Sequence, residues 1–114
     1  LLCDILRTPM SYRDLEPEQA QETIEGEDDL RLLDVRTQIE HDRYHLPNSL
    51  VIPIEELQDR VEELDPKDNW LVYCEHGRRS VAVCHFLAQL GYQRLANLKG
   101  GITYWMSRGL PTES

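Results

Sequence analysis

Four short runs of apolar residues punctuate the chain, at Leu30 to Val35, Ser49 to Ile52, Trp70 to Tyr73 and Arg94 to Leu98. The first three are nearly continuous in apolar character, the pattern of strands buried on both faces. A fifth short strand is expected near Met10 to Tyr12. Between the runs the period changes to helical. Pro17 opens a segment with Ala20 and Ile24 on one face, and Gly26 closes it. Thr37 and Glu40 stand at capping-box spacing for a short helix. Ile54, Leu57, Val61 and Leu64 repeat at helical period between Pro53 and Pro66. Ser80 to Leu90 is apolar almost all round, broken mainly by His85 and Gln89, and reads as a buried central helix. Ile102, Trp105 and Met106 mark a last helix, stopped by Gly109 and Pro111.

Strands that alternate with helices imply βαβ units and a parallel sheet, an α/β fold. Ligands of such sheets bind beyond the carboxyl ends of the strands. The segments at those ends are Asp34-Val35-Arg36, Pro53, Cys74 to Arg79, and Lys99-Gly100-Gly101. Four separate stretches are therefore expected on one edge. There is no internal repeat or low-complexity segment. Residues 1–9 are expected to form a flexible segment and 10–114 one folded domain, with 112–114 a loose end.

Composition narrows the partners. A length of 114 residues with 40% hydrophobic and 29% charged residues suits one globular core. A net charge of -9 argues against nucleic acid, which needs a basic face, and against an anionic membrane surface. No apolar run is long enough to span a bilayer. The three cysteines, Cys3, Cys74 and Cys84, are too few and too uneven for a disulfide framework, and no Cys-x-x-Cys pair or metal-ligand spacing occurs. A reduced cytoplasmic protein with free thiols and no metal is the expectation.

The candidate chemistry lies in Cys74-Glu75-His76-Gly77-Arg78-Arg79-Ser80, between the strand ending at Tyr73 and the next helix. Successive backbone N–H groups in such a turn form an anion-binding nest, and the helix dipole adds to the same field. Gly77 permits backbone angles that a side chain forbids. Arg78 and Arg79 add two cations within an acidic chain. Thiols at helix N-termini or beside cations are acidified to roughly 3.5–7.5, so Cys74 is expected to be largely ionised at neutral pH. The alternative, a small core cysteine closing a strand, leaves the coincidence of thiol, glycine, basic pair and helix start unexplained.

Cys74-x-x-Gly77-x-Arg79-Ser80 resembles the active loop of the single-domain rhodanese-like sulfurtransferases. Leu33-Asp34-Val35-Arg36, Glu40, His45, Leu46-Pro47-Asn48-Ser49 and Ile52-Pro53 resemble that family's first motif block. Leu98-Lys99-Gly100-Gly101 with Trp105, Gly109 and Pro111 resembles its closing block. The resemblance implies a five-stranded parallel sheet flanked by helices on both faces. It implies that Cys74 takes sulfane sulfur from thiosulfate or a persulfide and passes it to a thiol or cyanide, with the loop amides of residues 75–80 stabilising the anion and no cofactor. The implied partners are a small-molecule or protein sulfur donor and a thiol acceptor, and nothing requires more than a monomer. Phosphatases of the same fold carry their loop arginine one position later, where this chain has Ser80, and the shorter loop favours a single sulfur over a phosphate. Glu75, if its side chain faces the pocket, is expected to repel dianionic thiosulfate.

The remaining residues have plainer expectations. Asp34 and Arg36 are read as supports that hold the cradle in shape, with a simple strand-end salt bridge as the alternative. Glu40 is read as a helix cap, His45 as structural, His76 as exposed at the loop rim, Arg79 as a loop anchor and Arg78 as solvent-facing. Cys84 is read as core. Two rival functions stand beside the enzyme: a regulatory or interaction domain that does not use the cysteine, and a phosphatase or arsenate-reductase-like enzyme.

Overall fold

A computed structural model of the chain describes residues 12–114. Five strands form one sheet in the order β1-β5-β4-β2-β3, and every pairing is parallel. In chain order the elements are β1 (Tyr12–Leu15), α1 (Pro17–Gly26), β2 (Leu30–Asp34), α2 (Gln38–Arg43) and β3 (Ser49–Val51). They continue with α3 (Ile54–Arg60, extended by a 3-10 turn over Val61–Glu63), β4 (Asn69–Tyr73), α4 (Arg78–Gln89), β5 (Leu95–Leu98) and α5 (Gly101–Ser107). The five-stranded parallel α/β architecture expected from the sequence is the one observed.

The central strand explains the continuous apolar runs. All five residues of β4 are buried, and their side chains alternate between two cores. Trp70 and Val72 join Leu57, Val83, Cys84 and Leu87 on the α3 and α4 side. Leu71 and Tyr73 join Ala20, Ile102 and Trp105 on the α1 and α5 side. With both faces covered, apolar side chains fill both parities from Trp70 to Tyr73, and the buried polar Asn69 stands at the start of the strand.

Three sequence expectations shift. The first strand, expected near Met10 to Tyr12, is described over Tyr12–Leu15 and so runs on past Tyr12; Met10 and Ser11, like Cys3, lie outside the described residues. It is an edge strand paired only with β5, so exposed Arg13 and Asp14 mask its pattern. β5 is fully buried despite Asn97, whose amide donates to Asp14 at 2.7 Å. Finally, α4 is buried on one face and not all round. Ser80, Val83, Cys84 and Leu87 face the core, while Ala82, His85 and Gln89 are exposed and Leu90, which caps the helix, is half exposed. Its outer face carries apolar residues without being covered, which hid the helical period.

The edge at the strand carboxyl ends is stitched across by backbone hydrogen bonds. Val35 N–H donates to the Tyr73 carbonyl, Ile54 N–H to the Val35 carbonyl, and Ile102 N–H to the Cys74 carbonyl. The segments after β2, β3, β4 and β5 thus meet where the chemistry was expected.

Candidate active site

Cys74 follows β4 directly and is 1% exposed. Its Sγ accepts N–H bonds from Gly77 at 3.0 Å and from Ser80 at 3.3 Å, and lies 3.3 Å from the Ser80 hydroxyl. Gly77 is the N-cap of α4 and offers no side chain to satisfy the first-turn amides. The sulfur occupies the position that a capping oxygen takes elsewhere. It therefore sits at the positive end of a 12-residue helix, on donors that the backbone leaves free.

Two glycines make this turn possible. Gly77 has φ +101°, a left-handed angle that L side chains rarely adopt, and a Cβ there would press on the Gly100 backbone at 3.3 Å. Gly101, with φ +70°, lies under the loop so closely that a Cβ would come within 2.7 Å of the Cys74 carbonyl oxygen and overlap the Glu75 carbonyl. The start of α5 is thus packed directly against the loop backbone. Ile102 and Thr103 N–H groups donate to the Cys74 and Glu75 carbonyls at 2.9 and 3.1 Å.

Two arginines brace the loop, and each is held by carboxylates. Arg36 is fully buried and forms ion pairs with Asp34 at 2.8 Å and Glu75 at 3.0 Å, with a further bond to the Tyr44 carbonyl at 2.7 Å. Burial alone would lower its pKa, but the bonds to Asp34 and Glu75 win and raise it. Asp34 also accepts from His41 Nδ1 at 2.9 Å. Asp34 and Arg36 thus form a buried pair tied to Glu75, not an exposed strand-end salt bridge. Arg79 grips Glu40 with two parallel bonds of 2.8 and 3.0 Å. Its guanidinium holds the Glu40 carboxyl down at about 2. Glu40 also completes the capping box with Thr37, so it caps α2 and anchors the loop at once.

The other loop residues divide as follows. His76 and Arg78 are exposed at the rim. Among the described residues Arg78 forms no ion pair. The Glu75 carboxylate is committed to three donors: Arg36 at 3.0 Å, the Tyr44 hydroxyl at 2.9 Å and the Thr103 hydroxyl at 2.9 Å. Burial would raise its pKa, yet these bonds lower it. The Glu75 carboxylate is thus turned to its three donors, and it shares the single charge of Arg36 with Asp34. Sequence reading missed Tyr44 and Thr103 altogether. They lie 31 and 28 residues from Glu75, a separation that leaves no local signal.

Cys84, the second buried thiol, lies against the Ala96 carbonyl at 3.8 Å, and burial pushes it up to about 12. His45 packs on His41 with ring centroids 4.0 Å apart and bridges to the Glu113 backbone, a structural place. An apolar cleft of about 190 Å³ between α3 and α4, lined by Ile54, Leu57, Gln58, Ala82, Val83 and Phe86, holds no nucleophile, acid or base. Reactive groups converge instead on the Cys74 loop. Among the described residues, no cluster of three or more His, Cys, Asp or Glu side chains is placed to hold a metal, and no helix is long and apolar enough to cross a membrane.

Comparison with known proteins points the same way. The family described as Rhodanese-like domain matches residues 16–108. A sulfurtransferase of Allochromatium vinosum is 33% identical over 98 residues, which cover 86% of this chain and 92% of that protein. The thiosulfate sulfurtransferase GlpE of Actinobacillus pleuropneumoniae is 30% identical over 104 residues, covering 91% of this chain and 95% of that one. Among solved structures, a rhodanese-related protein from Thermoplasma volcanium superposes with a TM-score of 0.82 at 34% identity, covering 90% of this chain and 98% of its own.

Proposed function

The chain belongs to the rhodanese-like family, and from that premise we propose that it is a sulfurtransferase in which Cys74 carries sulfane sulfur as a persulfide. The observation that supports this most directly is the pair of N–H bonds from Gly77 and Ser80 to the Cys74 sulfur at the start of α4. Preorganised N–H donors stabilise negative charge most effectively in a site shielded from water.

The chemistry takes two displacements at sulfur. The Cys74 thiolate attacks the outer sulfur of a donor such as thiosulfate or a persulfide. A new S–S bond forms as the donor's own S–S bond breaks, and the bonding pair leaves with sulfite or with the donor thiolate. The charge on the Cys74 persulfide then rests on the loop N–H groups. An acceptor thiolate or cyanide attacks that outer sulfur, and the electron pair of the Cys74 S–S bond returns to Cys74. No net oxidation occurs, and the enzyme alternates between two covalent forms. Ser80 suits either protonation state of the free Cys74, because its hydroxyl accepts from a thiol and rotates to donate to a thiolate.

The donor follows from the charges at the mouth. Arg36 and Arg79 are paired with carboxylates, which leaves Arg78 as the exposed cation of the loop. A donor with one negative end suits this mouth better than thiosulfate, whose two charges need more than one free cation. We therefore place a low-molecular-weight or protein persulfide ahead of thiosulfate. Steady-state formation of thiocyanate from cyanide, with thiosulfate and glutathione persulfide compared, tests the reading. Parallel-line kinetics, lost in Cys74→Ser and faster with the persulfide, are expected. Turnover that survives in Cys74→Ser would sink the carrier mechanism, and hydrolysis of an aryl phosphate in place of sulfur transfer would move the protein to phosphatase chemistry.

A further inference from the structure

An acid placed directly after a nucleophilic thiol works against it by charge alone, since a carboxylate opposes ionisation of its neighbour and repels anionic donors. Glu75 occupies that position, yet its carboxylate is bound by three groups from other elements. Arg36 reaches it from the segment after β2, Tyr44 from the end of α2 and Thr103 from α5. Arg36 is itself fixed by Asp34.

The backbone beside it is pinned as firmly. The Cys74 and Glu75 carbonyls both point at α5, where they accept from Ile102 and Thr103. A trans peptide is planar, so the N–H that follows each carbonyl points the opposite way. The amides of Glu75 and His76 are thereby turned away from α5. Thr103 holds both ends of this arrangement, donating its N–H to the Glu75 carbonyl and its hydroxyl to the Glu75 carboxylate.

We propose that Glu75 is a positioning residue: its carboxylate, clasped by Arg36, Tyr44 and Thr103, sets the first two peptides of the loop so that their N–H groups face the sulfur on Cys74. The inference rests on the persulfide reading for its purpose, while the thiolate feels the clasp through the same loop, whose next amides, Gly77 and Ser80, donate to the Cys74 sulfur. Acid and thiol are coupled through backbone orientation and not through charge.

The two couplings have opposite signs, which makes them separable. Removing a neighbouring negative charge makes a thiol more acidic, whereas loosening the N–H donors makes it less so. The test is the pH profile of Cys74 alkylation by iodoacetamide in Glu75→Gln, and in the double variant Tyr44→Phe/Thr103→Val, which keeps the charge and removes two donors. In Glu75→Gln the profile is expected to move up by about one pH unit, the scale of one lost hydrogen bond to a charged group, with alkylation slowed about tenfold at pH values below the wild-type midpoint and less at neutral pH. The double variant is expected to move in the same direction. An unchanged or downward-shifted profile in Glu75→Gln overturns the proposal, and if that variant does not fold, the double variant decides by the same rule. Alkylation needs no sulfur donor, so a protein that fails to transfer sulfur but shows the upward shift refutes the function and keeps the clasp.

Discussion

Cys74 and Cys84 are both buried thiols, one leading into α4 and the other inside it, and their surroundings differ most in the hydrogen-bond donors that reach the sulfur. Cys74 meets two N–H donors at the open end of the helix. Cys84 meets apolar side chains and, at 3.8 Å, a carbonyl oxygen, and burial raises it to about 12. Burial by itself therefore makes a thiol inert. Reactivity requires that the low-dielectric site also supply oriented donors. The helix that provides those donors at its first turn provides none at its second, where its own carbonyls have taken them up.

The sharpest way to break this contrast is to exchange the thiols one at a time. Cys74→Ser is expected to abolish sulfur transfer entirely, while Cys84→Ala keeps it and costs about 1–2 kcal/mol of stability from lost packing, both measurable by thiocyanate assay and urea unfolding. Next in size is the close approach that shapes the reactive side. Gly101→Ala is expected to destabilise by about 2–4 kcal/mol, because it combines a left-handed angle with overlap on loop carbonyls. Gly26→Ala, at the end of α1 with open space around it, is expected to change stability by less than about 0.5 kcal/mol.

A smaller effect belongs to the Arg79 and Glu40 pair. The folded-state pKa of Glu40, about 2, lies below the ordinary glutamate value of 4.5. Its contribution is therefore fully present above the ordinary value and is lost as pH falls through about 2. With both side chains partly exposed, solvent screening reduces it to about 1 kcal/mol. Arg79→Met should remove that acid-labile part of the unfolding free energy between those two pH values, leaving a flatter profile. The smallest effect is expected from Arg78→Ala. Stability should stay within about 0.5 kcal/mol, while the rate with an anionic donor falls most at low ionic strength, where an exposed cation is least screened.

Much of this was legible in the chain because it is local. The Thr37 and Glu40 capping box, the Pro53 and Pro66 brackets around α3, and the strand, cysteine, glycine and helix sequence at 73–80 each lie within a few residues. The convergence of four strand-end segments followed from the rule for parallel sheets. What escaped depends on distance. Arg36 to Glu75 and Arg79 to Glu40 each span 39 residues, and no local period reports which carboxylate answers which cation. The charge of Glu75 is visible in the sequence, whereas its three partners are not. The one-sided burial of α4 escaped for a different reason. Ala82 and Leu90 are apolar and exposed, so composition and burial part company there.

The central claim is that oriented donors, and not burial, select Cys74 over Cys84 as the sulfur carrier. Its most direct test is intact mass, with peptide mapping, of the reduced protein after exposure to glutathione persulfide and then cyanide. The account predicts a gain of one sulfur atom, located on the peptide containing Cys74 and absent from the one containing Cys84, and its removal by cyanide. Sulfur found on Cys84, or on neither thiol while Cys74 still alkylates, would contradict it.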